Sequence, residues 1–239
     1  MNHLDTEIKT LKSSVISMWL LVINQLEKAE KMITDNEKDL AKEIKINEKR
    51  VDAYELKLIM DCENILALFN PLAIDLRFIL AVLKINYNLE RVGDYAHSIA
   101  EYVDDLDMQF DKKLLKDSKV QEMFHIALKM LNEALLAFEN EDSALVRTVY
   151  QLDDELDKIT SKSDDVISEW IQSNTKNVKE ALAVHSIIKK LERVGDQTKN
   201  ISTEIIFHKE AKMLHHTKKK KILKELDKDN NETKNKSSN

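Results

Sequence analysis

The sequence predicts an all-α chain folded as two tandem antiparallel three-helix bundles, six helices in all. Three observations lead there. Two glycines, one proline and 5% aromatic residues in 239 positions leave little material for turns or sheets. Charged residues (33%) balanced against apolar ones (43%) suit amphipathic helices with a solvated outer face. Finally, the hexapeptide LERVGD occurs at 89–94 and again at 191–196, 102 positions apart, and holds both glycines of the chain, Gly93 and Gly195. At that offset Ile85 matches Ile187 and Ile99 matches Ile201. A tandem duplication of a unit of about 100 residues explains this, a domain-sized repeat and not a solenoid one.

Helix boundaries follow from capping chemistry, since glycine and proline punctuation is nearly absent. The first helix is expected over 3–33. The second, 36–68, opens on Thr34 with Glu37, the three-residue spacing of a capping box. The third, 71–104, has Asn70 as N-cap and Pro71 at its first position. Its Leu72, Leu76, Ile79, Leu83 and Glu90 follow a stripe that places the glutamate on the face turned to the bundle. Ser118 with Gln121 opens the fourth helix, 118–139, and a fifth follows over 142–173. Asn177 with Glu180 opens the sixth, which runs to about 225. Short linkers make neighbours within each half antiparallel. The polar connection 104–117 is the seam. The expected units are therefore 1–106 and 117–210, with a basic, partly disordered extension at 211–239.

Net charge is −6, unevenly spread: 212–239 holds nine lysines against four acids, so it carries +5 and the remainder −11. The lysines at 218–221, without aromatics or an arginine stripe, make a poor nucleic-acid signal, and no nucleic-acid partner is expected. No apolar run approaches the roughly 18 residues of a membrane span. The opening MNHLDTEIKT lacks the basic and apolar regions of a secretory leader, so the expected compartment is the cytoplasm. A single cysteine, Cys62, excludes a disulfide framework and cysteine-rich metal sites.

Glu90 and Asp94 are four apart and project from one helix face, as do Glu192 and Asp196. Alone such a pair means little, because roughly 7 to 8 acidic pairs at this spacing arise by chance in this composition. The preceding helices add a restriction. They carry Glu48 with Asp52 and Asp153 with Asp157. Across an antiparallel turn, residues at equal height are equidistant from the turn centre. Pair midpoints at 50 and 92 centre the first turn on Pro71, and midpoints at 155 and 194 centre the second beside Asn174. Each half thus stacks two acidic pairs at one height. Four such carboxylates repel one another unless a cation sits among them. That cation is either an internal base (Lys49, Arg50, Arg91, Lys158 or Arg193) or a metal. Arg91 and Arg193 lie about 100° round the helix from the inward face, which favours the metal. All-oxygen donors point to iron, Mg, Mn or Ca, with zinc less favoured. Gly93 and Gly195, each costing about 1 kcal/mol in a helix, imply the close approach of a neighbouring helix or a ligated ion. His97 is a minor candidate ligand. Glu122 with His125 supplies a single ExxH where a di-metal bundle needs two, and His185 reads as a core residue.

The chain resembles the PhoU family of phosphate-signalling regulators. The resemblance rests on NPLAIDLRFILAVLKINYNLERVGDYAHSIAE (70–101), LERVGDQTKNIS (191–202) and VYQLDDELDKI (149–159). It implies tandem three-helix bundles bearing metal clusters on E(D)xxxD motifs, here Glu48 and Asp52, Glu90 and Asp94, Asp153 and Asp157, and Glu192 and Asp196. It further implies a non-enzymatic homodimer that restrains phosphate uptake by linking the ATPase of a phosphate ABC transporter to a sensor histidine kinase, in peripheral contact with membrane complexes. The alternative is a carboxylate-bridged di-metal enzyme, an oxidase or hydrolase. Against it stand the missing second ExxH, the absence of a nucleophile–base pair and the absence of a phosphate-cradling glycine loop.

Overall fold

A computed structural model describes residues 3–106 and 108–210. Among them the chain is helical, with no strand. Seven α-helices follow in order: α1 His3–Thr34, α2 Leu40–Phe69, α3 Ile74–Asp104, α4 Lys112–Asp117, α5 Val120–Asn140, α6 Val146–Ser173 and α7 Val178–Glu210. A 3₁₀ turn at Ser143–Leu145 leads into α6. α1, α2 and α3 pack together as one antiparallel bundle, and α5, α6 and α7 form the second. The extension after 210 lies outside the described residues.

The core follows the helical period. α1 buries Leu11, Val15, Met18, Trp19, Val22 and Leu26, and α5 buries the corresponding Met123, Phe124, Ala127 and Leu131. The two bundles share one continuous core. α3 lies along α7 in the most extensive helix–helix contact, and α1 lies against α5. Phe138 of α5 takes part in that seam, with ring centroids 5.9 Å from Trp19 and 6.1 Å from Phe78. Polar groups are matched across it as well: Lys84 Nζ lies 3.2 Å from the buried Glu204 carboxylate, and within the second bundle Tyr150 Oη and Thr203 Oγ1 are 2.9 Å apart.

Four boundary expectations are corrected. Asn70 is the left-handed C-cap of α2 (φ 46°), and α3 begins at Ile74, three residues beyond Pro71. α2 begins at Leu40, after a turn with Asn36 at φ 59°. Ser118 ends α4, and its hydroxyl donates to Leu115 O at 3.3 Å, so it does not cap α5. Glu180 is fully buried and accepts from the Asp111 backbone N–H, a tertiary bond that captures its carboxylate from the expected capping box. The seam is also more ordered than a polar linker: Asp111 caps α4 by accepting from Lys113 N (2.7 Å) and Leu114 N (3.1 Å), while Leu114 is buried. The α3 stripe is rotated from its expected position. Leu72 and Leu76 are exposed, and the buried face runs through Phe78, Ile79, Val82, Ile85, Leu89 and Val92.

Candidate metal centre

Helix packing brings Glu48 of α2 level with Asp94 of α3, the register expected from a turn centred near residue 71. Asp94 lies within hydrogen-bonding reach of both Glu48 and Glu90. Gly93 makes the approach possible: a Cβ there would stand 3.2 Å from Gln25 Oε1, 3.4 Å from Val51 Cγ1 and 3.7 Å from Glu48 Oε2. α1 supplies the third wall. Gln25 is fully buried and donates from Nε2 to Glu48 Oε2 at 2.8 Å. Its Oε1 is buried without a hydrogen-bond partner. Beside it Asn47 Nδ2 donates to Asn24 Oδ1 at 3.2 Å. Asp52, the fourth expected member, is exposed.

Glu48 and Glu90 hold their protons more tightly than an ordinary carboxyl. Burial pushes Glu48 up to about 8, helped by its hydrogen bond with Asp94 and the charges of Asp94 and Asp52, and opposed by the bond from Gln25. Burial also raises Glu90 to about 7, with the charges of Asp94 and Glu55 and the Asp94 hydrogen bond adding to it and Arg91 opposing. Near neutrality, shared protons therefore hold the cluster together where a cation otherwise would.

The second half has the same register and different chemistry. A Cβ on Gly195 would meet Leu156 Cδ1 at 2.7 Å, Met130 Cε at 3.5 Å and Asp153 Oδ1 at 3.7 Å. Asp153 is buried (4% exposed). The Lys199 ammonium lies 3.2 and 3.0 Å from its two oxygens and 2.8 Å from Asp196 Oδ1. Burial works against the charge on Lys199, but the hydrogen bonds and charges of Asp196 and Asp153 prevail and raise its pKa. Glu192 is half-buried, 4.0 Å from Lys189 Nζ, and Asp157 is exposed.

Of the eight expected ligands, the structure thus gathers Glu48, Glu90 and Asp94 in one place and Asp153 and Asp196 in another. Among the described residues, no three His, Cys, Asp or Glu side chains are grouped so that they could hold a metal ion as they stand. The donor set of the first half nevertheless fits a hard cation: three carboxyls and a buried amide oxygen with an unfilled acceptor site. Rotating carboxylate side chains onto a common ion costs of order 1 kcal/mol each, and a bound cation would supply the charge that the shared protons now supply.

Arg91 is exposed and turned to Tyr87, with Nε donating to Oη at 3.1 Å, so it leaves the inward face as its position on the helix implies. His97 Nε2 stands 3.9 Å from Glu101. His125 Nε2 lies 3.3 Å from Glu30, and Glu122 is bonded to Lys119 at 2.8 Å, so the single ExxH does not assemble. His185 is half-exposed, 3.5 Å from Asp164, and is not a core residue. Two residues that matter here were missed. Lys199 follows Asp196 by three positions and so shares its face. Gln25 sits outside the acidic pattern, on α1, the helix of its bundle that carries none of the expected ligands.

Fold and site together define a duplicated helical-bundle protein with a carboxylate cluster between adjacent helices of each repeat. The family model described as PhoU domain matches this chain twice, over 15–103 and 120–205. The chain belongs to that family. It is 30% identical over 208 residues to the phosphate-specific transport system accessory protein PhoU homolog 1 of Thermotoga maritima, a match covering 86% of this chain and 88% of that one. It is also 30% identical over 210 residues to the PhoU homolog of Borreliella burgdorferi, covering 85% and 93% respectively. The crystal structure of PhoU from Pseudomonas aeruginosa superposes with a TM-score of 0.79 at 25% identity, over 87% of this chain and 99% of that one. The phosphate transport system regulatory protein PhoU of Streptococcus pneumoniae shares the fold, with a TM-score of 0.79 at 23% identity over 88% and 99%.

Proposed function

We propose that this protein is a cytoplasmic, non-enzymatic adaptor of a phosphate transport system, which restrains phosphate uptake by linking the ATPase of a phosphate ABC transporter to a sensor histidine kinase. The observation that carries the reading is the family match in both repeats, to relatives named phosphate-specific transport system accessory proteins. In this reading 1–106 and 117–210 are the two structural units, 211–239 is a basic extension, and the protein works as a homodimer. The carboxylate clusters, Glu48 with Asp52, Glu90 with Asp94, Asp153 with Asp157 and Glu192 with Asp196, are its metal-binding elements, for iron or a similar oxygen-preferring ion.

A second feature supports a docking role. Leu56, Met60 and Leu68 on α2 are exposed, as are Leu72 and, on α3, Leu80 and Tyr87. Single exposed apolar residues are ordinary, but a concentration on two adjacent helices is what a partner surface requires. No helix among the described residues is long and apolar enough to cross a membrane, so an association with a transporter would run through such a surface. The test is capture of the transporter ATPase by the purified full-length protein, at high and low phosphate. Leu56→Asp with Met60→Asp is expected to reduce capture without lowering the melting temperature. Absence of capture in both conditions would refute the adaptor role.

A further inference from the structure

The duplication places equivalent positions in equivalent surroundings, so differences between the copies report on what each half does. At the offset of 105 that relates α1 to α5 and α2 to α6, Gln25 corresponds to Met130 and Asn47 to Leu152; at the offset of 102 that relates α3 to α7, His97 corresponds to Lys199. Both Gln25 and Met130 line the space over the local glycine, 3.2 and 3.5 Å from where its Cβ would be. The first copy therefore presents an amide oxygen, buried and without a hydrogen-bond partner, beside three carboxyls. The second presents a thioether, and an ammonium within 3.2 Å of three carboxylate oxygens.

We infer that metal binding is confined to the first repeat, where Gln25 Oε1 joins Glu48, Glu90 and Asp94 as an oxygen donor, and that Lys199 occupies the cation position of the second repeat permanently. The inference rests on the metal-binding reading above and narrows it. The physical reason is competition for one place. Lys199 already contributes a positive charge and three short contacts to Asp153 and Asp196, so a divalent ion entering there would leave a half-buried ammonium facing a second cation at close range. Among the described residues no ammonium or guanidinium is bonded to Glu48, Glu90 or Asp94; Arg91 and Lys190 act on the cluster only through their charge, and the buried Gln25 oxygen faces it without a partner. Met130 adds a soft sulfur that hard cations do not select, whereas the Gln25 amide oxygen is a hard donor.

The experiment is titration of the full-length protein, stripped with chelator, with Mn²⁺, following the EPR signal of the free aquo ion. Glu48→Gln with Asp94→Asn is expected to abolish Mn²⁺ uptake. Asp153→Asn with Asp196→Asn is expected to leave uptake unchanged. Gln25→Met is expected to weaken uptake by about tenfold, the scale of losing one supporting group at a metal site. Lys199→Met should add uptake that Asp153→Asn then removes, and circular dichroism establishes that each variant is folded. Equal loss from the first-half and second-half carboxamide pairs would overturn the confinement to one repeat while sustaining the metal-binding reading. No Mn²⁺ uptake by the wild-type chain would overturn both, and an undiminished affinity in Gln25→Met would remove Gln25 from the donor set.

Discussion

Replacing Glu48 by glutamine tests the electrostatics of the first repeat most directly. Glu48 has an ordinary carboxylate pKa of 4.5 in the unfolded chain and about 8 in the fold. Its native state therefore binds a proton that the unfolded state releases between those values, and stability falls as pH rises through that window. Below 4.5 the contribution is fully present; above about 8 it is lost. At about 1.4 kcal/mol per tenfold change, the upper bound is about 5 kcal/mol. Solvent screening at a half-buried site reduces this to about 2 kcal/mol. Glutamine has the same shape, can still accept from Gln25 Nε2, and carries no charge to desolvate. In chelator-treated protein, Glu48→Gln is expected to be within about 0.5 kcal/mol of wild type at pH 5 and about 2 kcal/mol more stable at pH 8.5, measured by urea denaturation with a common m-value. A difference that is flat with pH, or a variant that is less stable at pH 8.5, would refute the account of Glu48 as a carboxyl held protonated by burial and Asp94. Saturating metal should erase the difference in favour of wild type, because the ion replaces the proton.

Other consequences follow from the same geometry. Mn²⁺ binding at pH 7 should displace about one to two protons from Glu48 and Glu90, seen as a calorimetric enthalpy that varies with buffer ionisation heat; a buffer-independent enthalpy would contradict it. Gly195→Ala gains about 1 kcal/mol of helix propensity but puts a methyl 2.7 Å from Leu156 Cδ1, an overpacking of about 1–3 kcal/mol, so a net loss is expected. In a Leu156→Ala background the same change should instead stabilise by about 1 kcal/mol, and an unchanged effect would mean that helix contact is not why glycine stands there. Tyr150→Phe removes the buried bond to Thr203 and should cost about 1 kcal/mol in chemical denaturation; a neutral result would show that Thr203 finds full compensation in its bond to Lys199 O.

Glycine scarcity and the repeated hexapeptide identify a duplicated helical bundle, because helix and turn propensities are local properties of the chain. Period and turn position likewise give the height at which helices meet, which is why Glu48 finds Asp94 and why Lys199 bridges Asp153 and Asp196. Local signals fail where tertiary contacts compete for the same atoms. Glu180 is drawn from its own helix start to the Asp111 backbone N–H, and Asn70 closes α2 where a cap for α3 is expected. Rotation about each helix axis is a further property that height does not contain. It turns Leu76 to solvent and leaves Asp52 and Asp157 on the outer flank of their pairs. The acidic pattern alone thus determines where negative charge accumulates between helices. What answers it depends on the helix that packs against the pair from the side, α1 or α5, and on side-chain reach. Only their packing sets Gln25 and shared protons in one repeat against Lys199 and Met130 in the other.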